Sequence, residues 1–298
     1  MPSATDRSRL ISIVQSRQNA RVRELRAAFA RAPREVTEVI GLEGEHLLAE
    51  ALRSGLRLRT VFVRADPARR GDSLHRLDRL ALPPSVPIVE LTPPVFDSAV
   101  ETESPQGIAA LVEPPRFSLA EALGEPDTPT LHSARPAPLV LIAAGLQDPG
   151  NFGALIRSAE AFAASGVLAL PGTVDLWNAK ALRASAGSAF RVPVVHERSA
   201  AVFSALSERR IPILAAVPAA AHDDAIPCSR YDFTQPAAIL IGNEGSGLSH
   251  DLLDRADARI AIPMPGPVES LNAAIAASIL LYEAARQRGA SLREGSSR

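Results

Sequence analysis

Cysteine occurs once in the 298 residues, at Cys228, so no disulfide closes within the chain and no thiolate cluster can hold a metal. The six histidines, at 46, 75, 132, 196, 222 and 250, form no HxH or HxxxH pair, which leaves zinc without its usual ligand spacing, and no metal is expected. Lysine is as scarce as cysteine: Lys180 stands alone among 31 arginines. The longest apolar run, Ala273 to Tyr282, is too short to cross a bilayer. The first residues, MPSATDRSRL, contain no apolar stretch of the signal-peptide type. A soluble, cytoplasmic protein with no membrane partner is therefore expected. An excess of charge is missing as well. The 32 basic and 33 acidic residues leave a net charge of −1, which excludes a uniformly basic nucleic-acid coat and an acidic tail protein.

What is present fits an ordinary globular protein. Hydrophobic residues make up 46% and charged residues 22%, enough apolar material for two buried cores in a chain of this length. The charge is unevenly spread. Residues 1–35 hold eight arginines (7, 9, 17, 21, 23, 26, 31, 34) against Asp6, Glu24 and Glu35, so this segment is +5 and the remainder −6. Arg17, Arg21 and Arg31 fall near helical spacing, with Val22, Leu25 and Phe29 on another face. The arginine face reads either as a solvated helix surface or as an electrostatic foot for a phosphate backbone. The overall arginine excess reads as codon bias; composition does not establish selection for planar phosphate forks.

Two α/β patterns follow one another. In residues 1–113, Glu43–Arg53 reads as an amphipathic helix stopped by Gly55. Strands are expected at 58–64, near 86–91 and at 107–112, with a polar helical stretch reaching about Leu80. Residues 114–137 form a proline-rich linker in which FSLAEAL has room for a turn or two of helix. From 138 to 298, strands are expected at 139–144, 166–170, 211–216, 237–242 and 258–262. Helices are expected near 150–164, 178–186, 199–209 and 270–288. Short apolar strands separated by helices predict a parallel sheet covered on both faces. No internal repeat is visible.

Three loops of the second domain follow strand ends, where open parallel sheets bind ligands. The first is DPGNFGALIR, 148–157, in which Asn151 can cap the helix and Arg157 lies nearly two turns into it. Read alone, Arg157 is a surface charge. The second is IGNEGSGL, 241–248, with three glycines in a GxxGxG pattern. That is neither the dinucleotide GxGxxG nor a P-loop, for no Walker lysine follows. The third is IPMPGPVESLN, 262–272, with Ser270 suited to an N-cap and Asn272 placed just inside the next helix. An asparagine is less comfortable there than most residues, which favours a task for its side chain.

Together these loops resemble motifs 1, 2 and 3 of the SpoU (TrmH-type) RNA 2′-O-ribose methyltransferases of the SPOUT superfamily. The stretches are DPGNFGALIRSAEAFAASGV, ILIGNEGSGLS and IPMPGPVESLNAAIAASI, and KALRASAGSAFRVPV (180–194) is also similar. SRQNARVRELRAA, LEGEHLLAEAL and SPQGIAALV in the first domain are similar to the ribosomal-protein-like substrate-binding domain that such enzymes often carry. The resemblance implies an α/β parallel-sheet domain tied as a deep trefoil knot, an exception to the rule against threading, with a small α/β RNA-binding domain ahead of it. It implies S-adenosylmethionine as cofactor, touched by Gly242, Ile262, Leu271 and Ala216. It also implies a homodimer with its active site at the two-fold interface. The family's key arginine falls on Arg157, and its other catalytic positions on Asn151, Glu244, Ser270 and Asn272. Arginine is normally fully protonated, so the expected role of Arg157 is to fix an RNA phosphate and stabilise a developing 2′-alkoxide; action as a base, direct or relayed through phosphate, stays open. Glu244 is a candidate to hold the arginine fork, with Asn151 and Asn272 orienting it and the cofactor. Asn243 departs from the small residue that relatives often carry. The extra domain favours ribosomal RNA as substrate over transfer RNA, and a non-catalytic RNA-binding or ribosome-assembly factor is the alternative.

Overall fold

The computed structural model describes residues 10–30, 39–65, 77, 79–100, 102, 104–125, 137–219 and 222–289. Arg7, Arg9, Arg31 and Arg34 of the basic segment, most of the polar stretch before Leu80 and the centre of the linker lie outside these residues. The chain divides into two compact units, residues 1–115 with 177–190, and residues 116–176 with 191–298.

The first unit is built on a five-stranded sheet of order β1-β4-β3-β5-β2. Its strands are β1 (Leu10–Val14), β2 (Ile40–Glu43), β3 (Leu58–Arg64), β4 (Ile88–Leu91) and β5 (Ile108–Val112). β1, β4 and β3 run parallel, and β5 is antiparallel to both β3 and β2. Helix α1 (Ala20–Phe29) begins where the Asn19 side chain accepts the Arg21 N–H at 3.0 Å. It buries Val22, Leu25, Ala28 and Phe29, the apolar face legible in the sequence, whereas Arg17 precedes the helix. The Phe29 ring lies over Gly41, where a Cβ would come within 2.9 Å of it. Helix α2 (Glu45–Arg53) starts two residues later than the sequence predicts. The reason is that Glu43 completes β2 as a buried carboxylate, accepting hydrogen bonds from the Thr102 hydroxyl and the Gln106 N–H. Gly55, at φ +73°, ends α2 as expected. A short helix, α3 (Pro93–Asp97), follows β4. Residues 177–190 carry α6 (Ala179–Ser185), which the sequence assigns to the second domain. They pack with the first unit because Ala179 sits against its core and Gly187 lies against Glu50, where a Cβ would meet the Glu50 Cβ at 2.6 Å.

The second unit holds a seven-stranded, wholly parallel sheet of order β10-β12-β9-β11-β6-β7-β8. Its strands are β6 (Leu139–Ala143), β7 (Gly166–Ala169), β8 (Val194–His196), β9 (Ile213–Ala216), β10 (Ile226–Pro227), β11 (Ala237–Ile241) and β12 (Ala258–Ala261). β6 and β11 are paired at the centre and buried along their whole length, which is why they read as unbroken apolar runs. Helices α5 (Pro149–Ala161) and α9 (Ala273–Gln287) pack together, joined by a hydrogen bond between the Ser158 and Ser278 hydroxyls at 2.7 Å. Helices α4 (Leu119–Ala122) and α7 (Ser199–Glu208) close another core with Val140, Ile142, Leu168, Val202, Leu206 and Leu240. Each such side chain contributes roughly 1.5–3 kcal/mol by leaving water. Part of the linker is thus a wall: Ala122 and Leu123 are buried in that core, and Gly166 has no side chain because the Ala122 backbone lies 2.6 Å from where its Cβ would be. A final short helix, α8 (His250–Leu253), precedes β12.

Arg288, just past α9, gathers backbone carbonyls from two other segments. Its guanidinium donates to Ala137 O (2.6 Å), Phe233 O (2.7 Å) and Gln235 O (2.9 Å). Burial lowers its pKa from the ordinary arginine value.

Candidate active site

The three motif loops meet at the carboxyl ends of β6, β11 and β12. The first places its polar groups by an unexpected cap. Asp148, not Asn151, is the N-cap of α5: its Oδ1 accepts the Asn151 N–H at 2.8 Å, and Pro149 opens the helix. The Asn151 side chain is thereby released. Its Nδ2 donates to Glu244 Oε1 at 2.9 Å, and its Oδ1 accepts from Asn272 Nδ2 at 2.9 Å. The third loop is corrected in the same way. Asn272, not Ser270, caps α9, with Oδ1 accepting the Ala274 and Ile275 N–H groups at 2.9 and 3.3 Å. One asparagine thus satisfies orphan donors of a helix with its oxygen and reaches across to α5 with its nitrogen.

The result is a directed chain of hydrogen bonds from Asn272 through Asn151 to Glu244. It ends on Glu244, which offers only acceptors when ionised. Partial burial works to raise the Glu244 pKa, but the hydrogen bonds from the Asn151 side chain and from the Glu244, Gln147 and Asp148 backbone outweigh it and leave the pKa lowered. Glu244 holds Asn151, not the fork of Arg157.

The second loop is shaped by close backbone approach. Asn243 and Gly247 exchange N–H···O bonds of 3.0 Å in each direction. A Cβ on Gly242 would lie 2.5 Å from the Gly247 carbonyl carbon, so only glycine fits there. Asn243 has a clear task. Its Nδ2 donates to Gly145 O at 2.7 Å, and its Oδ1 accepts the Gly245 and Ser246 N–H groups at 2.9 and 3.1 Å. It fastens the second loop to the first. The sequence marked this asparagine only as a departure from the small residue of relatives and gave no sign of its task, nor of those of Asp148 and Gln147.

Beneath the loop lies a cavity of about 380 Å³. Ala216, Gly242, Ile262 and Leu271, the four expected cofactor contacts, all line it, as do Glu244 and Ser270. Ile260, Met264 and Leu280 supply apolar walls. The backbone groups of Gly242, Ile262 and Leu271 make no hydrogen bond to another described residue, so donors and acceptors are left for a ligand. Asn151, Asn272 and Arg157 stand outside the lining. Arg157 is exposed on α5 and pairs with no carboxylate among the described residues.

Comparison with known proteins agrees with this arrangement. Residues 138–282 match the SpoU rRNA Methylase family, and residues 19–110 match an MRM3-like substrate binding domain. The chain is 30% identical over 269 residues to the Bacillus subtilis 23S rRNA (guanosine(2553)-2′-O)-methyltransferase RlmP, covering 90% of this chain and 97% of that one. It is 34% identical over 215 residues to the 23S rRNA (uridine(2479)-2′-O)-methyltransferase of Streptomyces viridochromogenes, covering 72% and 69%. The crystal structure of the SpoU methyltransferase AviRb from Streptomyces viridochromogenes in complex with AdoMet superposes with a TM-score of 0.73 at 28% identity, covering 91% of this chain and 98% of that one. Extent and identity together suffice: the chain belongs to the SpoU rRNA methylase family.

Proposed function

We propose that this protein transfers the methyl group of S-adenosylmethionine to a ribose 2′-hydroxyl of ribosomal RNA, in the cytoplasm, as a homodimer whose catalytic unit is tied as a deep trefoil knot. The observation that carries this reading is the chain Asn272–Asn151–Glu244 standing beside a cavity lined by all four expected cofactor residues. The cavity fits the cofactor in size and chemistry. Its volume lies in the range of small-molecule sites, its walls are apolar, and its free backbone groups lie at Gly242, Ile262 and Leu271. S-adenosylmethionine, when bound, supplies a methyl group already activated on a sulfonium.

The protein's own task is then positioning and stabilisation of charge. Arg157, with no acidic partner among the described residues, is suited to clamp the phosphate beside the target ribose and to stabilise the 2′-oxygen as its proton leaves. Ser270 offers a hydroxyl at the cavity wall. Glu244, Asn151 and Asn272 hold the three loops in register. The homodimer is supported by α9, where Ile275 and Tyr282, seven residues apart on one stripe, are 52% and 48% exposed. α5 packs beside this helix, so a second copy covering the stripe approaches the Arg157 helix. In the first unit, Arg57, Arg59 and Arg64 are paired with Glu113 or Asp97, whereas exposed Arg17 and Arg23 have no carboxylate partner among the described residues. They are candidates for phosphate contact. The names of the two curated relatives specify a guanosine and a uridine, so the shared motifs do not select the base.

The test is methyl transfer from labelled S-adenosylmethionine to total RNA of a strain lacking the gene, with light scattering for mass. Label on ribose of ribosomal RNA and a dimeric mass are expected. Label on transfer RNA, label on a base, or RNA binding without transfer would overturn the reading.

A further inference from the structure

A second groove lies across the 243–247 loop from the cofactor cavity. It has a volume of about 800 Å³ and shares Asn243, Ser246 and Gly247 with that cavity as a common wall. Its floor is Phe203, a core ring only 7% exposed. The Arg255 guanidinium lies over this ring, 5.1 Å from its centroid, and Arg255 is itself exposed. This cation–π contact leaves the donors of the guanidinium unused, and no carboxylate pairs with it among the described residues. Asp251 and Asp254 also line the groove, exposed and without a described partner. Gln147 forms the edge nearest the catalytic loop, where its N–H reaches Glu244 Oε2 at 3.4 Å.

Three uncommitted charges of both signs, two of them acids, disfavour a phosphate. A flat ligand with its own N–H donors answers each feature. One face stacks on the presented guanidinium, and its edge donates to Asp251 or Asp254. We propose that this groove binds a nucleobase next to the target nucleotide of the substrate RNA, stacked on the Arg255 guanidinium, with an exocyclic amino group donating to the Asp251/Asp254 carboxylates. This site rests on the RNA methyltransferase reading. It selects bases carrying an amino group over uracil, whose single N–H leaves the second acid unanswered.

The experiment measures methyl transfer to ribosomal RNA lacking the modification, with kcat, KM for RNA and Kd for S-adenosylmethionine determined separately. Arg255→Ala raises KM for RNA about tenfold, in keeping with the loss of one stacked base, and leaves cofactor Kd unchanged. Arg255→Lys keeps the charge but loses the planar platform, so it resembles the alanine variant. Asp251→Asn with Asp254→Asn raises KM and weakens discrimination against RNA whose neighbouring base is replaced by uracil. Wild-type KM in the alanine variant, or full rescue by lysine, would overturn the stacking site, the latter pointing to phosphate attraction. Neither outcome touches the methyltransferase reading, which fails on the wild-type outcomes named above.

Discussion

Asn272 at the start of α9 donates its side-chain amide to Asn151 in the first turn of α5 across 2.9 Å, although 121 residues separate them. The polarity of this bond is set at its far end. Glu244 is acceptor-only when ionised, so Asn151 must present its nitrogen to Glu244 and its oxygen to Asn272. The two substitutions at 272 separate capping from linkage. Asn272→Asp keeps the cap and loses the donor, leaving two acceptors face to face. Its melting temperature stays near wild type while methyl transfer falls at least tenfold. Asn272→Ala loses both and costs in addition about 1 kcal/mol of stability. Thermal melts run beside the transfer assay check the pair.

Arg157 is exposed and pairs with no carboxylate among the described residues. Its removal therefore leaves stability within about 0.5 kcal/mol. Arg157→Ala lowers kcat by about a hundredfold or more with S-adenosylmethionine binding unchanged by calorimetry. Arg157→Lys recovers only a small part, because the bidentate fork is lost. Normal turnover in the alanine protein would remove Arg157 from the mechanism.

Gly242→Ala places a methyl group against the Gly247 carbonyl, at 2.5 Å from its carbon. The obstacle is backbone, which no rotamer change relieves. The loop must shift, at a cost of roughly 1–3 kcal/mol, and S-adenosylmethionine affinity falls with it. Titration calorimetry reads the affinity, and chemical unfolding reads the stability.

Glu244 titrates below its ordinary range in the folded protein. A depressed folded pKa means that its hydrogen bonds contribute stability above the ordinary glutamate range and lose it as pH falls through the folded value. The difference in melting temperature between wild type and Glu244→Gln is thus constant at neutral pH and vanishes on the acid side. Melts between pH 7 and the acid limit of folding check the sign. A difference that grew on acidification would contradict it.

The sheet of the second unit was legible because β6 and β11 are buried on both faces and read as unbroken apolar runs. The four edge strands of the two sheets were not. β1 stands among arginines, β2 runs into the residue read as the start of a helix, β8 has only three residues, and β10 has only two with Pro227 as one of them. The site residues were legible as motif positions, and all four expected cofactor contacts line one cavity. The assignment of caps was not legible. Asp148 and Asn151, like Ser270 and Asn272, are all competent N-caps by type, and a spacing of two or three residues lies within the ordinary error of a helix boundary. That small shift matters, because it determines which asparagine side chain reaches across to another loop. Asn243 was legible only as an oddity, since its partner Gly145 lies 98 residues away.

The carbonyls gathered by Arg288 place the residues that lead into β6 beside the last turn of α9, at the amino end of that strand. The cofactor cavity opens at the carboxyl ends of the same sheet. The entry to β6 and the exit from α9 therefore lie at one corner, away from the chemistry. An affinity handle or fused domain attached after Gly289 leaves the cavity mouth clear.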